Sequence, residues 1–393
     1  MKRIELLAPA GDLMKLKIAL TYGADAVYIG GKSFSLRYFA SNFTTEDIFE
    51  AVKFAHNLNK KVYVATNMVM HESDLEGLEK YLKTLKEAGV DAIITSSLHI
   101  LKLAKSIDLE AHMSTQLSTL NEEAVNLFYS LGSPRIVLGR ELTLKEIRDI
   151  KSKTEADIEV FVHGGMCSSY SGKCMLSNYM AERDPNRGGC AHSCRWKYFV
   201  YQNGEQLGNE DDYLSMSSKD LLGIEEVPYL IESGVASLKI EGRMKSANFL
   251  AYIVSAYRKA IDDYYNGKEY NLEEYKKLLF YGENRETGHG FFYGNVTEKE
   301  SQLELKDKFS KAGEFIGIVL GGNSQANRVY FEVKNKLIAN KKYLVISPNE
   351  GVKEVLVKSI KFKDNYYDVY TIAGDIVELE VDIDLKEYSL LHY

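Results

Sequence analysis

Four cysteines, Cys167, Cys174, Cys190 and Cys194, crowd one segment of a 393-residue chain that has no others. Thiolate sulfur is a soft ligand, suited to iron–sulfur clusters or zinc and poorly suited to magnesium or calcium. Four thiolates can saturate one [4Fe–4S] cluster. They can equally close a structural zinc site that pins a long loop. The order Cys-x6-Cys-x15-Cys-x3-Cys lacks the paired Cys-x2-Cys hooks common in zinc modules, and spacing alone leaves both metals open. Disulfides are disfavoured, because the chain is expected in the cytoplasm, where thiols stay reduced. No apolar run approaches the roughly 20 residues needed to cross a bilayer. The opening MKRIELLAPAGDL meets Pro, Gly and Asp before a signal h-region could form.

A different chemistry starts from His163 and Cys167, which could serve as the base and thiolate of a cysteine peptidase. The chain has no His-Glu-x-x-His and no Gly-x-Ser-x-Gly, so zinc-protease and serine-hydrolase chemistry lack their usual motifs. Ligation explains three further cysteines better than proteolysis does, and a ligating thiolate is not free to attack.

These residues need elements to position them. Apolar, β-branched runs recur at Ile4–Ala8, Ala26–Gly30, Lys61–Asn67, Ala92–Thr95, Glu110–Thr115, Arg135–Gly139, Ile158–His163 and Ser237–Glu241. Amphipathic stretches alternate with them, including Leu13–Tyr22, Thr45–Asn57, Asp74–Ala88, Leu98–Ser106, Asn121–Leu131 and Leu144–Lys153, with another expected near Lys219–Ser233. Thr44 with Asp47, and Thr143 with Glu146, resemble capping boxes. Eight strand–helix units predict an α/β fold, a (β/α)8 TIM-like barrel over residues 1–300. An open doubly wound sheet is the alternative, but no Gly-x-Gly-x-x-Gly follows the first strand. From 312 to 393 the texture changes to short alternating strands and turns, which predicts a small antiparallel β-barrel domain.

The cysteines fall in an insertion at about 164–213, after the seventh strand, and barrel chemistry sits at the C-terminal ends of strands. Other polar residues belong to the same end. Arg140 and Glu141 follow strand six; Lys239, Glu241 and Arg243 lie on or beyond strand eight; Asn67, His112, Gln116 and His163 sit at or near strand ends. An isolated pair of this kind is commonly a barrel-closing ion pair; several on one face point to a site. Arginine suits bidentate binding of carboxylates.

The chain is acidic, with net charge −7, which argues against a uniformly basic nucleic-acid binder. Residues 161–200 nevertheless carry Lys173, Arg183, Arg187, Arg195 and Lys197 against Glu182 and Asp184, a basic island around the cysteines.

The stretch Glu159-Val-Phe-Val-His-Gly-Gly-Met-Cys-Ser-Ser-Tyr-Ser-Gly-Lys-Cys-Met-Leu-Ser177 closely resembles the signature of peptidase family U32, departing where Gly165 stands for the usual Ser or Ala. Leu7-Ala-Pro-Ala-Gly11, Tyr22-Gly-Ala-Asp-Ala-Val-Tyr28, Asn186-Arg-Gly-Gly-Cys190, Cys194-Arg-Trp-Lys197, Ser218-Lys-Asp-Leu221 and Ser237-Leu-Lys-Ile-Glu-Gly-Arg243 extend the likeness. Within the family the chain looks like the branch of prephenate-dependent tRNA uridine hydroxylases and the related ribosomal-RNA cytidine hydroxylase. The resemblance implies a [4Fe–4S] cluster on Cys167, Cys174, Cys190 and Cys194. It further implies oxygen-independent formation of 5-hydroxyuridine at the tRNA wobble position, with prephenate, a small dicarboxylate, as hydroxyl donor. A collagenase-like peptidase and a non-catalytic RNA-binding factor are the alternatives.

Overall fold

A computed structural model of the protein describes residues 3–32, 34–35, 42–209, 213–283, 285–297, 301–304, 313–323 and 327–393. The expected domain limits at 300 and 312 fall outside these residues.

Eight short strands run parallel: β1 Glu5–Pro9, β2 Ala26–Gly30, β3 Lys61–Thr66, β4 Ala92–Thr95, β5 Ala111–Met113, β6 Arg135–Val137, β7 Asp157–Gly164 and β8 Ser237–Ile240. Each pairs with the next, and β8 pairs with both β7 and β1, so the sheet closes on itself. Nearly every strand residue is buried, as expected where helices cover one face and the barrel interior the other. The helices that follow the first six strands are α1 Leu13–Thr21, α2 Thr45–Asn57, α3 Leu78–Glu87, α4 Leu98–Ser106, α5 Glu122–Ser130 and α6 Leu144–Lys151. Both expected capping boxes are present: Thr44 and Thr143 accept the backbone N–H of Asp47 and Glu146, whose carboxylates reach back to the cap. The echo between Gly23-Ala-Asp-Ala and Gly89-Val-Asp-Ala has a physical role. Asp25 accepts the Leu6 N–H and Asp91 the Val62 N–H, so each ties a new strand to the one before it.

Beyond β7 the insertion carries a short helix, α7 Leu176–Ala181, and a hairpin at Tyr201–Gln202 and Glu205–Gln206. The helix expected near Lys219–Ser233 is only half correct. Asp220–Leu222 is a strand, whose residues Leu221 and Leu222 pair antiparallel with Gly164 and His163 of β7. Helix α8, Val227–Glu232, begins only after it and precedes β8. After β8 come α9 Ala247–Tyr265 and α10 Leu272–Gly282.

The C-terminal strands Phe315–Asn323, Arg328–Val333, Lys341–Ser347, Gly351–Phe362, Ile376–Val381 and Leu390–His392 form a closed antiparallel ring around its own core. Its Ile318, Ile346 and Leu390 join the main core instead. Tyr22 donates from its hydroxyl to the Ile346 and Tyr388 carbonyls, and Tyr252 of α9 lies 2.9 Å from His392 Nε2. Among the described residues no helix is long and apolar enough to cross a membrane.

Candidate active site

The barrel interior is unusually charged below its mouth. Glu159 on β7 is fully buried and accepts from Lys239 Nζ at 2.7 Å and from Arg135 at 3.3 Å. Arg135 also meets Glu5 at 2.5 Å, and Glu5 accepts from Tyr63 and Ser237. Burial pushes the Glu159 carboxyl up, but Lys239, Arg135 and His112 outweigh it and hold it below the ordinary range. A buried carboxylate persists in ionised form only with such partners. Apolar and aromatic side chains, among them Leu7, Tyr28, Tyr63 and Ile94, fill the rest of this inner layer.

Above it, at the C-terminal ends of the strands, opens a cavity of about 440 Å³. All four cysteines line it, with Asn67, Gln116, Arg140, Lys239, Glu241 and Arg243. None of the four is in a disulfide. Burial pushes the Cys194 thiol up, against a hydrogen bond with Ser168 and the nearby Arg195 charge, and Cys167 and Cys190 are close enough to add to the rise, which places those sulfurs in one electrostatic neighbourhood. Among the described residues no three Cys, His, Asp or Glu side chains gather tightly around a point that would hold a single ion.

The cations that line the cavity are held by aromatic and polar neighbours. Arg140 stacks its guanidinium 4.0 Å from the Phe161 ring centre. Lys239 lies 4.7 Å from Tyr28 and 5.3 Å from Phe161. Such faces stabilise positive charge. Arg243 donates to Ser35 Oγ, and Glu241 accepts the Tyr28 hydroxyl at 3.0 Å. Gln116 uses its amide oxygen on Ser114, while its amide nitrogen has no partner among the described residues.

Three expected site residues do not line the cavity. His163 points out of the barrel toward α9, packed against Phe249 and Tyr257, and burial lowers its pKa to about 3. It therefore stays neutral at physiological pH. His112 is inside but low, edge-on to Tyr63 and 2.8 Å from Glu110. Glu141 serves the insertion: backbone N–H groups, that of Ser171 among them, favour its charged form, although burial as the larger influence raises its pKa.

The sequence profile of peptidase family U32 matches residues 11–302. This chain belongs to peptidase family U32.

The U32 chain is 45% identical over 343 residues to tRNA hydroxylation protein P1 of Bacillus subtilis, covering 85% of this chain and 81% of that one. It is 38% identical over 381 residues to an uncharacterized protease of Methanocaldococcus jannaschii, covering 94% and 92%. Over 439 residues it is 32% identical to tRNA hydroxylation protein P of Escherichia coli, covering 98% and 96%.

Arg195 was expected only as part of the basic island, and Asp220, Lys245 and Arg285 were not expected at this cavity. Arg195, Lys245 and Arg285 also line the cavity. Behind them Asp220, buried, accepts from Arg285 at 2.5 Å and Lys245 at 3.2 Å, with Arg195 3.9 Å away. Asp220 stood in the Ser218–Leu221 motif, but no spacing linked it to Arg285, so far away in the chain.

Proposed function

We propose that this chain is an RNA hydroxylase that acts on tRNA and holds an iron–sulfur cluster on Cys167, Cys174, Cys190 and Cys194. The observation that carries the reading is one cavity, at the active end of the barrel, whose wall combines four thiols with the cations Arg140, Lys239 and Arg243. Two relatives that cover most of this chain bear the name tRNA hydroxylation protein.

The donor set fits a cluster better than zinc. A single zinc ion draws four thiolates to about 2.3 Å from one centre, whereas the thiolates of a [4Fe–4S] cluster each bind their own iron. Thiols spread around a cavity wall suit the second arrangement. When bound, the cluster would supply iron able to act as a Lewis acid or to carry an electron. The chain's own residues bind and orient. Arg140, Lys239 and Arg243 suit the two carboxylates of a small donor, for which prephenate is the proposed molecule. Gln116 offers an amide donor to a base edge or to the donor. The proposed product is 5-hydroxyuridine at the wobble position, formed without molecular oxygen.

The peptidase reading needs a base beside Cys167. His163 faces α9, and among the described residues it makes no hydrogen bond to that thiol. The test is nucleoside mass spectrometry of tRNA and ribosomal RNA from a deletion strain complemented with each single Cys→Ser variant. Cys174→Ser and Cys190→Ser should abolish RNA hydroxylation as fully as the deletion does. Normal hydroxylation in both variants overturns the reading. A cysteine peptidase would depend on Cys167 alone, and a passive RNA-binding factor would leave the modification intact in the deletion strain.

A further inference from the structure

The cavity's cations lie at two depths. Lys239 and Arg243 at the floor are almost fully buried, with 4% and 7% of their surface exposed. Arg195, Lys245 and Arg285 stand nearer the mouth, with side chains 30%, 18% and 16% exposed. All three converge on Asp220, whose side chain is 5% exposed and which is not itself among the residues lining the cavity. Asp220 cannot shift easily. Its strand is paired to β7 through Leu221 and Leu222, and Asp220 itself pairs with Thr287 on the other side. Arg285 is fixed twice more, donating to Ser217 Oγ at 2.8 Å and to the Ser218 carbonyl at 3.1 Å. Gly165 leaves room for this arrangement: a Cβ there would stand 3.1 Å from the Arg195 guanidinium.

We propose that Asp220 is a positioning residue that sets Arg195, Lys245 and Arg285 as a phosphate-binding rim, gripping the RNA backbone while one base enters the cavity. The inference rests on the RNA-hydroxylase reading and adds to it the place where the polyanion is held. Size and depth divide the labour. A cavity of about 440 Å³ lined by the four thiols has room for little more than one base and a small donor beside the cluster, so the sugar–phosphate chain must cross its mouth. Fixed guanidinium forks suit phosphate oxygens, and enzymes that act on a base take it out of its stack while contacting the flanking backbone. The deeper Lys239 and Arg243, with Arg140 on the Phe161 ring beside them, are left for the donor's carboxylates.

The experiment uses the cluster-loaded protein and a fluorescent RNA stem-loop, with binding measured by anisotropy across a salt series. Affinity for the dicarboxylate donor, prephenate, is measured separately by calorimetry. Lys245→Gln and Arg285→Gln should each weaken RNA binding about tenfold and lower the salt slope by about 0.7, with donor affinity unchanged. Asp220→Asn removes a negative charge, so simple electrostatics predicts tighter RNA binding; loss of positioning predicts weaker binding, restored in part by Asp220→Glu. Tighter binding in Asp220→Asn overturns the positioning role. An unchanged RNA slope in both rim variants, or a loss of donor affinity in place of RNA affinity, overturns the phosphate rim. If Arg285→Gln does not fold, the more exposed Lys245→Gln carries the same comparison. Wild-type protein that binds no RNA overturns both the rim and the hydroxylase reading, whereas RNA binding that ignores the rim variants overturns only the rim.

Discussion

Arg243 reaches the cavity floor through space that Gly30 leaves open. A Cβ at that position would stand 1.9 Å from Arg243 Nη1 and 2.4 Å from Ser35 Oγ. Gly30→Ala must therefore push the guanidinium off its place, although no charge is removed. Donor affinity is expected to fall about tenfold in calorimetry, as loss of an aligned charge-assisted hydrogen bond implies; unchanged affinity would show that Arg243 does not clamp the donor. Lys239 poses a different question, because its partner Glu159 is buried with it. Glu159→Ala would leave Lys239 and Arg135 without their shared carboxylate, at a cost of about 3–5 kcal/mol. Urea denaturation measures that loss. The sequence named Lys239 and Arg243 from their place at a strand end, and the four thiols from their type alone. It could not name Asp220, because a carboxylate that fastens three distant cations has no local signature.

The same division holds for the elements. Strand–helix alternation was legible because period-two and period-3.6 patterns are local, and β1 to β8 emerged within a residue or two of their predicted bounds. The stretch after the insertion misled, because Leu221, Leu222, Ile224 and Val227 are spaced as on a helix face. Antiparallel pairing with the end of β7 overrides that local pattern, a contact between segments that no periodicity reports. Anchoring of the insertion is also tertiary. Ser118 donates to the Ser171 carbonyl at 2.6 Å, and the Ser171 backbone N–H in turn favours the Glu141 carboxylate. Ser118→Ala combined with Glu141→Gln should loosen the loop that carries Cys167 and Cys174. Iron and sulfide content of anaerobically purified protein should then fall well below wild type, while the far-ultraviolet circular dichroism of the barrel is kept. Full iron occupancy in the double variant would show that the insertion holds its shape without these ties.

At the scale of the whole molecule, the C-terminal ring is fastened to the barrel by groups that must stay neutral. His392 packs edge-on against Tyr252, near Tyr281, and burial lowers its pKa from 6.5 to about 4. The unfolded chain has no such burden, so between those two values it binds a proton that the folded protein refuses. Stability is therefore fully present above about pH 6.5 and declines as pH falls toward 4, the sign that linkage requires for a depressed folded-state pKa. His163 adds a second contribution of the same sign that extends lower, to about 3, so the wild-type profile alone cannot separate the two. His392→Phe keeps an aromatic ring beside Tyr252 and removes the titrating nitrogens together with their hydrogen bond to the Tyr252 hydroxyl, a loss that does not vary with pH over this range. Its urea midpoint should fall less steeply than wild type from pH 7 to pH 4, and the difference between the two profiles should flatten below pH 4, where the carboxylates and His163 titrate alike in both proteins. Parallel profiles for the two proteins would mean that His392 is protonated in the folded protein and that the junction tolerates charge.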